Sequence, residues 1–185
     1  MISTMRRLLA ATAAALTAGT TLSACYLGPD PVQYAALAMI DGRPTAVVAA
    51  CGRPTVNVDI YLNDGTTDSD LHEWSVTVTL PDQVRDVEVE LLGTPRPGWV
   101  ITTTQEEVVG TGLSSFKVIP LTSIDPGHHY TLDSSKGGPE GASAPAVKFT
   151  TDDLPNIGPG QVLAPIDHKH SKVVSRDSFV KERCG

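Results

Sequence analysis

Apolar and polar residues alternate with a period of two along much of the chain after residue 33. The segments 55–62 (TVNVDIYL) and 73–80 (EWSVTVTL) place an apolar residue at every second position. A period of two buries one face of a β-strand and leaves the other face in water. The pattern therefore predicts strands that each contribute one face to a common core.

Further short segments rich in Val and Thr predict a series of strands. They are residues 34–40, 45–51, 86–92, 98–107, 116–121 and 146–151. The first two flank the turn signal DGRP, which predicts a hairpin, and Pro- and Gly-rich turns separate the others. Many short strands at regular spacing favour an all-β fold, an antiparallel β-sandwich.

The C-terminal segment SRDSFVKERCG predicts a short helix. Ser175 is a preferred N-cap residue, Asp177 suits the positive N-terminal end, and Lys181 and Arg183 suit the C-terminal end. We expect the apolar pair at 179–180 to dock this helix on the sandwich.

A basic pair, Arg6 and Arg7, and an apolar segment, 8–22, precede the first cysteine. The apolar segment is too short to span a bilayer stably, so the pattern predicts a signal peptide rather than a transmembrane helix. It ends in Leu22-Ser23-Ala24-Cys25, which resembles the lipobox of bacterial lipoproteins. That resemblance implies that a diacylglycerol is attached to the sulfur of Cys25 and that residues 1–24 are removed.

The lipobox resemblance sets the predicted organisation and location. After the signal peptide (1–24), residues 25–32 form a short lipid-anchored tether, 33–151 form the sandwich domain, and 152–185 form a C-terminal extension. The protein is then held on the extracytoplasmic face of the cell membrane, because acyl chains contribute roughly 0.8 kcal/mol per buried methylene.

Two cysteines remain once Cys25 is assigned to the lipid. An even pair in an exported protein is more often a disulfide than two free thiols. A bridge between Cys51 and Cys184 closes a loop of about 134 residues, counted inclusively, for which the chain-entropy model gives on the order of 5 kcal/mol. It ties the C-terminal extension to an early strand.

The segment IDPGHHYTLDS resembles the E–F corner of fibronectin type III and related immunoglobulin-like domains. The likeness rests on Ile124, Pro126, Gly127 and Tyr130 and covers roughly residues 114–151. It implies that the hydroxyl of Tyr130 bonds to the backbone upstream, as in a tyrosine corner. Trp74 and Trp99 are both candidates for the buried tryptophan of strand C.

The charge of the chain limits its partners. Removal of Arg6 and Arg7 with the signal peptide leaves 12 basic and 21 acidic residues, a formal charge of −9. This balance argues against nucleic acid as a partner and against electrostatic attraction to anionic lipid. The remaining candidates are the membrane, reached through the lipid, and a protein or cell-wall partner.

Two groups of polar residues are candidate ligands for a metal ion or solute. His168 and His170, with Asp167 beside them, alternate as on one face of a strand. The acidic 64–73 loop, whose carboxylates belong to Asp64, Asp68, Asp70 and Glu73, suggests calcium, although its glycine comes too early for an EF-hand. A zinc site needs three or four converging ligands, so the main expectation includes no metal and no cofactor.

The sequence offers no catalytic constellation. No Gly-x-Ser-x-Gly motif is present, and the carboxylate pairs Glu106-Glu107 and Asp152-Asp153 are adjacent, which sends them to opposite faces of a strand. We therefore expect no enzyme but a binding or structural module. The Gly/Ser/Pro-rich loop 134–145 is a candidate binding loop, with a plain solvated connection as its alternative.

Overall fold

The computed structural model describes residues 33–64, 70–81, 83–110, 115–134 and 144–185. The signal peptide, Cys25, the tether, Asp68 and most of the loop 134–145 lie outside the described residues. The elements are β1 (Tyr34–Ile40), β2 (Arg43–Ala49), β3 (Thr55–Leu62), β4 (Asp70–Thr79), β5 (Asp86–Glu90), β6 (Trp99–Ile101), β7 (Glu107–Val109), β8 (Phe116–Pro120), β9 (Tyr130–Asp133), β10 (Val147–Phe149), a 3₁₀ helix (Thr151–Asn156), β11 (Gln161–Pro165), β12 (Ser171–Ser175) and the helix α1 (Arg176–Cys184).

The strands form two sheets, which confirms the all-β sandwich. One sheet has five strands in the order β12-β11-β1-β2-β5, and the other has seven, in the order β10-β9-β3-β4-β8-β7 with β6 also paired to β4. All pairings are antiparallel except β4 with β8. The main core lies between the sheets and includes Leu37, Val48, Ile60, Trp74 and Leu132.

The predicted hairpin is present. Tyr34 pairs with Ala49 and Ile40 with Arg43, which leaves Asp41 and Gly42 as a two-residue turn. Both turn residues have positive φ, 51° and 75°. Asp and Gly tolerate this conformation, and the Asp-Gly dipeptide therefore fixes the register of the hairpin.

The prediction of one strand over 98–107 is wrong, because the structure divides this segment. Its start is β6, which pairs with β4, and its end enters β7, which pairs with β8. The Thr102 amide donates a hydrogen bond to the Ser75 carbonyl. Beyond Thr102 the segment is no longer paired with β4.

The C-terminal segment contributes more than the predicted helix. β11 pairs with β1 and β12 pairs with β11, so residues 161–175 extend the five-stranded sheet. Helix α1 follows, and the Ser175 hydroxyl accepts a hydrogen bond from the Ser178 amide at 3.2 Å, as predicted for the N-cap.

Helix α1 covers the outer face of the five-stranded sheet. Phe179 and Val180 are buried in a second apolar cluster with Ala36, Ala38, Val47, Ala49, Val162 and Ala164. The helix is also held by Arg176, which bonds to the carboxylates of Asp86 and Glu88 on β5. In the described part of the chain, no helix is long and apolar enough to cross a membrane.

The disulfide between Cys51 and Cys184 is present, with a Cα–Cα distance of 5.1 Å. It joins the loop after β2 to the last residue of α1. The covalent link therefore fastens the covering helix at its C-terminal end.

We predict that replacing both bridged cysteines, Cys51→Ala with Cys184→Ala, lowers the free energy of unfolding by about 2–5 kcal/mol, because the unfolded chain gains conformational freedom. Denaturant unfolding of the variant and the parent measures the difference. Thiol titration of the unreduced, unfolded parent provides the control. Detection of two free thiols in residues 33–185 would contradict the bridge.

Candidate functional site

The outer faces of the two sheets differ. Helix α1 covers that of the five-stranded sheet, whereas the seven-stranded sheet carries an open groove of about 520 Å³ on its outer face. The groove is lined by Asp59, Tyr61, Leu71, Glu73, Ser75, Thr102, Thr103, Glu107, Val109, Val118 and Asp133.

Strand register brings the polar lining residues together in two rows. Asp59 of β3 lies between Ser75 of β4 and Asp133 of β9. Tyr61 lies between Glu73 and Thr131 in the next row. Directly opposed side chains on one face of a sheet stand about 4.5–5.5 Å apart at Cβ. The polar positions of the period-two pattern therefore converge on one surface.

Carboxylates lie around Tyr61 in the groove. Burial raises the pKa of the Tyr61 hydroxyl, and the nearby carboxylates of Asp133, Asp59 and Glu73 raise it further. Each carboxylate disfavours the negatively charged phenolate. The described lining residues contain four carboxylates and no Lys or Arg.

Hydrogen bonds order the floor of the groove. The Ser75 hydroxyl donates to the carboxylate of Asp59, and the Thr77 hydroxyl donates to the side-chain oxygen of Asn57 at 2.8 Å in the neighbouring row. These bonds join β3 to β4 side by side. The carboxylate positions are thus set by two adjacent strands of the sandwich.

One flank of the groove is apolar. Leu71, Val109 and Val118 line it, and the side chain of Val109 is 38% exposed. The surface therefore offers carboxylates that accept hydrogen bonds beside apolar groups that contact hydrocarbon. Such a surface suits a ligand with a positively charged end and an aliphatic stem.

Tyr130 fixes the loop that precedes β9. Its hydroxyl accepts a hydrogen bond from the Asp125 amide at 2.8 Å, and its ring stacks on Phe149 with 5.6 Å between centroids. Burial raises the pKa of Tyr130. The neutral hydroxyl thus connects the loop to the core at the position that the sequence resemblance indicated.

Asp64, a candidate calcium ligand, contacts the same loop. Its carboxylate lies 2.5 Å from Nδ1 of His128 and accepts a bond from the His129 amide at 2.9 Å. The His129 amide, followed by the His128 side chain, lowers the pKa of Asp64. Asp70 and Glu73 lie on β4, so the structure does not bring them together with Asp64 in one loop.

The prediction that His168 and His170 alternate along a strand is wrong. Residues 166–170 form the loop between β11 and β12, and the Asp167 carboxylate accepts bonds from the amides of Lys169 and His170 at 2.7 and 2.8 Å. The His170 ring, followed by these two amides, lowers the pKa of Asp167 to about 2. Among the described residues, no group of three or more His, Cys, Asp or Glu is placed to hold a metal ion.

Neither candidate tryptophan lies on β3: β4 pairs with β3, and β6 pairs with β4. Trp74 is in β4 and is buried in the main core, and Trp99 begins β6. The central strand β3 has no tryptophan, and Ile60 occupies the position opposite Trp74.

No protein-family model, curated protein or solved structure matches the chain.

We predict that Asp133→Asn lowers the pKa of Tyr61 without returning it to 10.0, its ordinary value, because burial still disfavours the phenolate. As the pH rises, Tyr61 loses its proton at a lower pH in the unfolded chain than in the folded protein. The free energy of unfolding therefore falls as the pH rises from about 10 towards the raised pKa. The difference in tyrosinate absorbance between each protein and its Tyr61→Phe counterpart isolates the titration of Tyr61. Asp152→Asn is the control, and an equal shift in it would contradict the assignment.

Proposed function

We propose that the protein is a lipid-anchored, extracytoplasmic binding module without catalytic activity. The placement is supported by the lipobox that ends at Cys25. It is supported independently by the Cys51–Cys184 disulfide, because disulfides persist in oxidising compartments. A domain tethered at its N-terminus acts on partners that reach the membrane surface.

The observation that carries the binding role is the groove on the seven-stranded sheet. Its carboxylates lie around Tyr61 and beside an apolar flank, so charge complementarity favours a partner that presents lysine or arginine side chains. We infer a basic segment of a protein of the envelope as the partner.

The strand order supports an immunoglobulin-like sandwich as the scaffold. β1, β2 and β5 are neighbours in one sheet, and β10, β9, β3 and β4 are neighbours in the other. In this module the seven strands form the sandwich, β11 and β12 extend one sheet, and α1 covers the outer face of that sheet. On this interpretation Tyr130 is the tyrosine of the corner before the sixth strand of the module.

Metal or solute binding is the second hypothesis, and it rests on the 64–73 segment and on His168 and His170. Asp64 is engaged by His128 and His129, and His170 contacts Asp167. Among the described residues no group of three or more His, Cys, Asp or Glu is placed to hold a metal ion, so we rank this hypothesis second.

We predict that Cys25→Ala moves the protein from the detergent-rich to the aqueous phase in detergent phase partition, because the acyl chains supply the membrane affinity. Mass spectrometry of the N-terminal peptide of the wild type should show a diacylglycerol on Cys25. The double variant Cys51→Ala/Cys184→Ala, which leaves the lipobox intact, is the control and should stay in the detergent-rich phase. An aqueous wild type with an unmodified sulfur would contradict the anchor.

We predict that a photo-crosslinking residue in place of Tyr61 captures a basic protein partner in intact envelopes. The yield should fall when Glu73→Gln and Asp133→Asn are added, and at high salt, since both weaken the attraction. The same crosslinker in place of Val173, which is 39% exposed on β12, is the matched control. Equal products from both positions, or none from position 61, would rule out the groove as the binding surface.

A further inference from the structure

The two ends of the sandwich differ in the charges they carry. The end at which β1 begins is called here the anchor-proximal end, and it consists of the described residues of the segments 50–54, 80–85, 165–172 and 181–185. Gln33, the first described residue, donates a bond to the carbonyl of Thr55 at 3.0 Å, at the start of β3. The Cys51 amide donates a hydrogen bond to the backbone carbonyl of Arg85, and the Arg183 side chain donates one to the backbone carbonyl of Pro165 at 3.1 Å. These segments are therefore in contact.

Basic side chains are concentrated at the anchor-proximal end. Six of the 12 basic residues after position 24 fall in its four segments: Arg53, Arg85, Lys169, Lys172, Lys181 and Arg183. The described acidic residues in these segments are Asp167 and Glu182, Asp82 falls in the range but outside the described residues, and Asp86 and Asp177 lie beside Arg85 and Lys181. Arg176 pairs with Asp86, so seven basic residues stand against these five acidic ones, and the anchor-proximal end is positive in a chain of net negative charge.

The opposite end of the sandwich, called the distal end, is acidic. It includes the turn between β1 and β2, the end of β3, the start of β4 and the segments beside Tyr130 and after Phe149. Its carboxylates belong to Asp41, Asp64, Asp70, Asp125, Asp152 and Asp153, and its basic residues are Arg43 and Lys117. The long axis of the domain thus has a positive and a negative end.

The length of the tether limits how far the positive end can lie from the lipid. Seven residues lie between Cys25 and Gln33, which makes eight steps from residue to residue. An extended chain spans at most about 3.3–3.6 Å per step, so Gln33 lies within about 30 Å of the anchored sulfur. Electrostatic interactions are screened over about 8–10 Å at ordinary ionic strength. A tethered domain of this reach can therefore bring its basic end within range of the headgroups.

The loop 166–170 adds an apolar contact at the same end. Ile166 is 51% exposed, and Lys169 and Lys172 follow it. The Asp167 carboxylate, which binds the amides of Lys169 and His170, gives this loop a defined conformation. An exposed aliphatic side chain among lysines suits the boundary between headgroups and acyl chains.

We propose that the anchor-proximal end docks on anionic lipid headgroups beside the anchor and holds the distal end away from the bilayer. The proposal rests on the lipid anchor proposed above. It revises the expectation from net charge, since the attraction depends on the end that faces the membrane and not on the total charge.

The test uses the mature lipoprotein in vesicles of phosphatidylcholine, alone or with about one third phosphatidylglycerol. Cys25 is a thioether and Cys51 and Cys184 are bridged, so one introduced cysteine is the reactive thiol. His168→Cys labels the anchor-proximal end, and His129→Cys labels the distal end. Energy transfer from each label to an acceptor on the headgroups measures their distances.

We predict that phosphatidylglycerol increases the energy transfer from a label at position 168 to the headgroup acceptor. It should not increase the energy transfer from a label at position 129. High salt should reverse the change. Lys169→Glu/Lys172→Glu should abolish it, whereas Lys117→Glu/Lys148→Glu, an equal charge change on β8 and β10, should preserve it. Circular dichroism checks that each variant is folded.

The two proposals fail in distinguishable ways. Protein that does not float with phosphatidylcholine vesicles would overturn the anchor. Protein that floats, but whose transfer from position 168 is the same with and without phosphatidylglycerol, would overturn the docking alone. Equal loss in both double variants would also overturn it, because the response would then follow net charge rather than the basic end.

Discussion

The outer faces of β1 and β2 are apolar, and this constraint determines how the C-terminal segment folds. Ala36, Ala38, Val47 and Ala49 point away from the main core, so these strands require cover on both faces. A nine-residue helix is marginal in isolation, whereas full burial of a side chain such as Phe179 contributes about 1.5–3 kcal/mol. Helix α1 therefore depends on the apolar face beneath it and on the disulfide that holds its end.

Helix α1 covers the outer face of one sheet, and the outer face of the other sheet carries the groove. The strands β3, β4 and β9 alternate, and their outward positions carry Asp59, Tyr61, Glu73, Ser75 and Asp133. Because these residues come from three strands, their proximity is set by the register of the sandwich. The two outer faces therefore differ because β1 and β2 carry apolar residues on both of their faces, whereas the outward positions of β3, β4 and β9 are polar.

Local sequence signals predicted the elements whose partners are near in the chain. The β1–β2 hairpin follows from its Asp41-Gly42 turn, and α1 follows from the Ser175 cap. β11 was missed because its partner β1 is more than 120 residues earlier, and a short apolar run ending in Pro165 does not reveal that pairing. The continuous apolar run of β1 could have predicted that a further element covers its outer face, because a strand that is apolar on both faces is buried on both. The groove depends on register across three strands, which no single segment specifies.

The disulfide also helps to determine which charges lie beside the start of β1. It brings the C-terminal end of α1 to the loop after β2, beside the start of β1, and so places Lys181 and Arg183 near Arg85 and Arg53. Packing of Phe179 and Val180 holds the helix on the sheet, and the disulfide fixes its last residue beside the loop after β2. A chain with an overall negative charge can thus present a positive end, because folding and the disulfide decide which charges are neighbours. Net charge describes long-range repulsion, whereas contact at a surface depends on charges within a screening length of it.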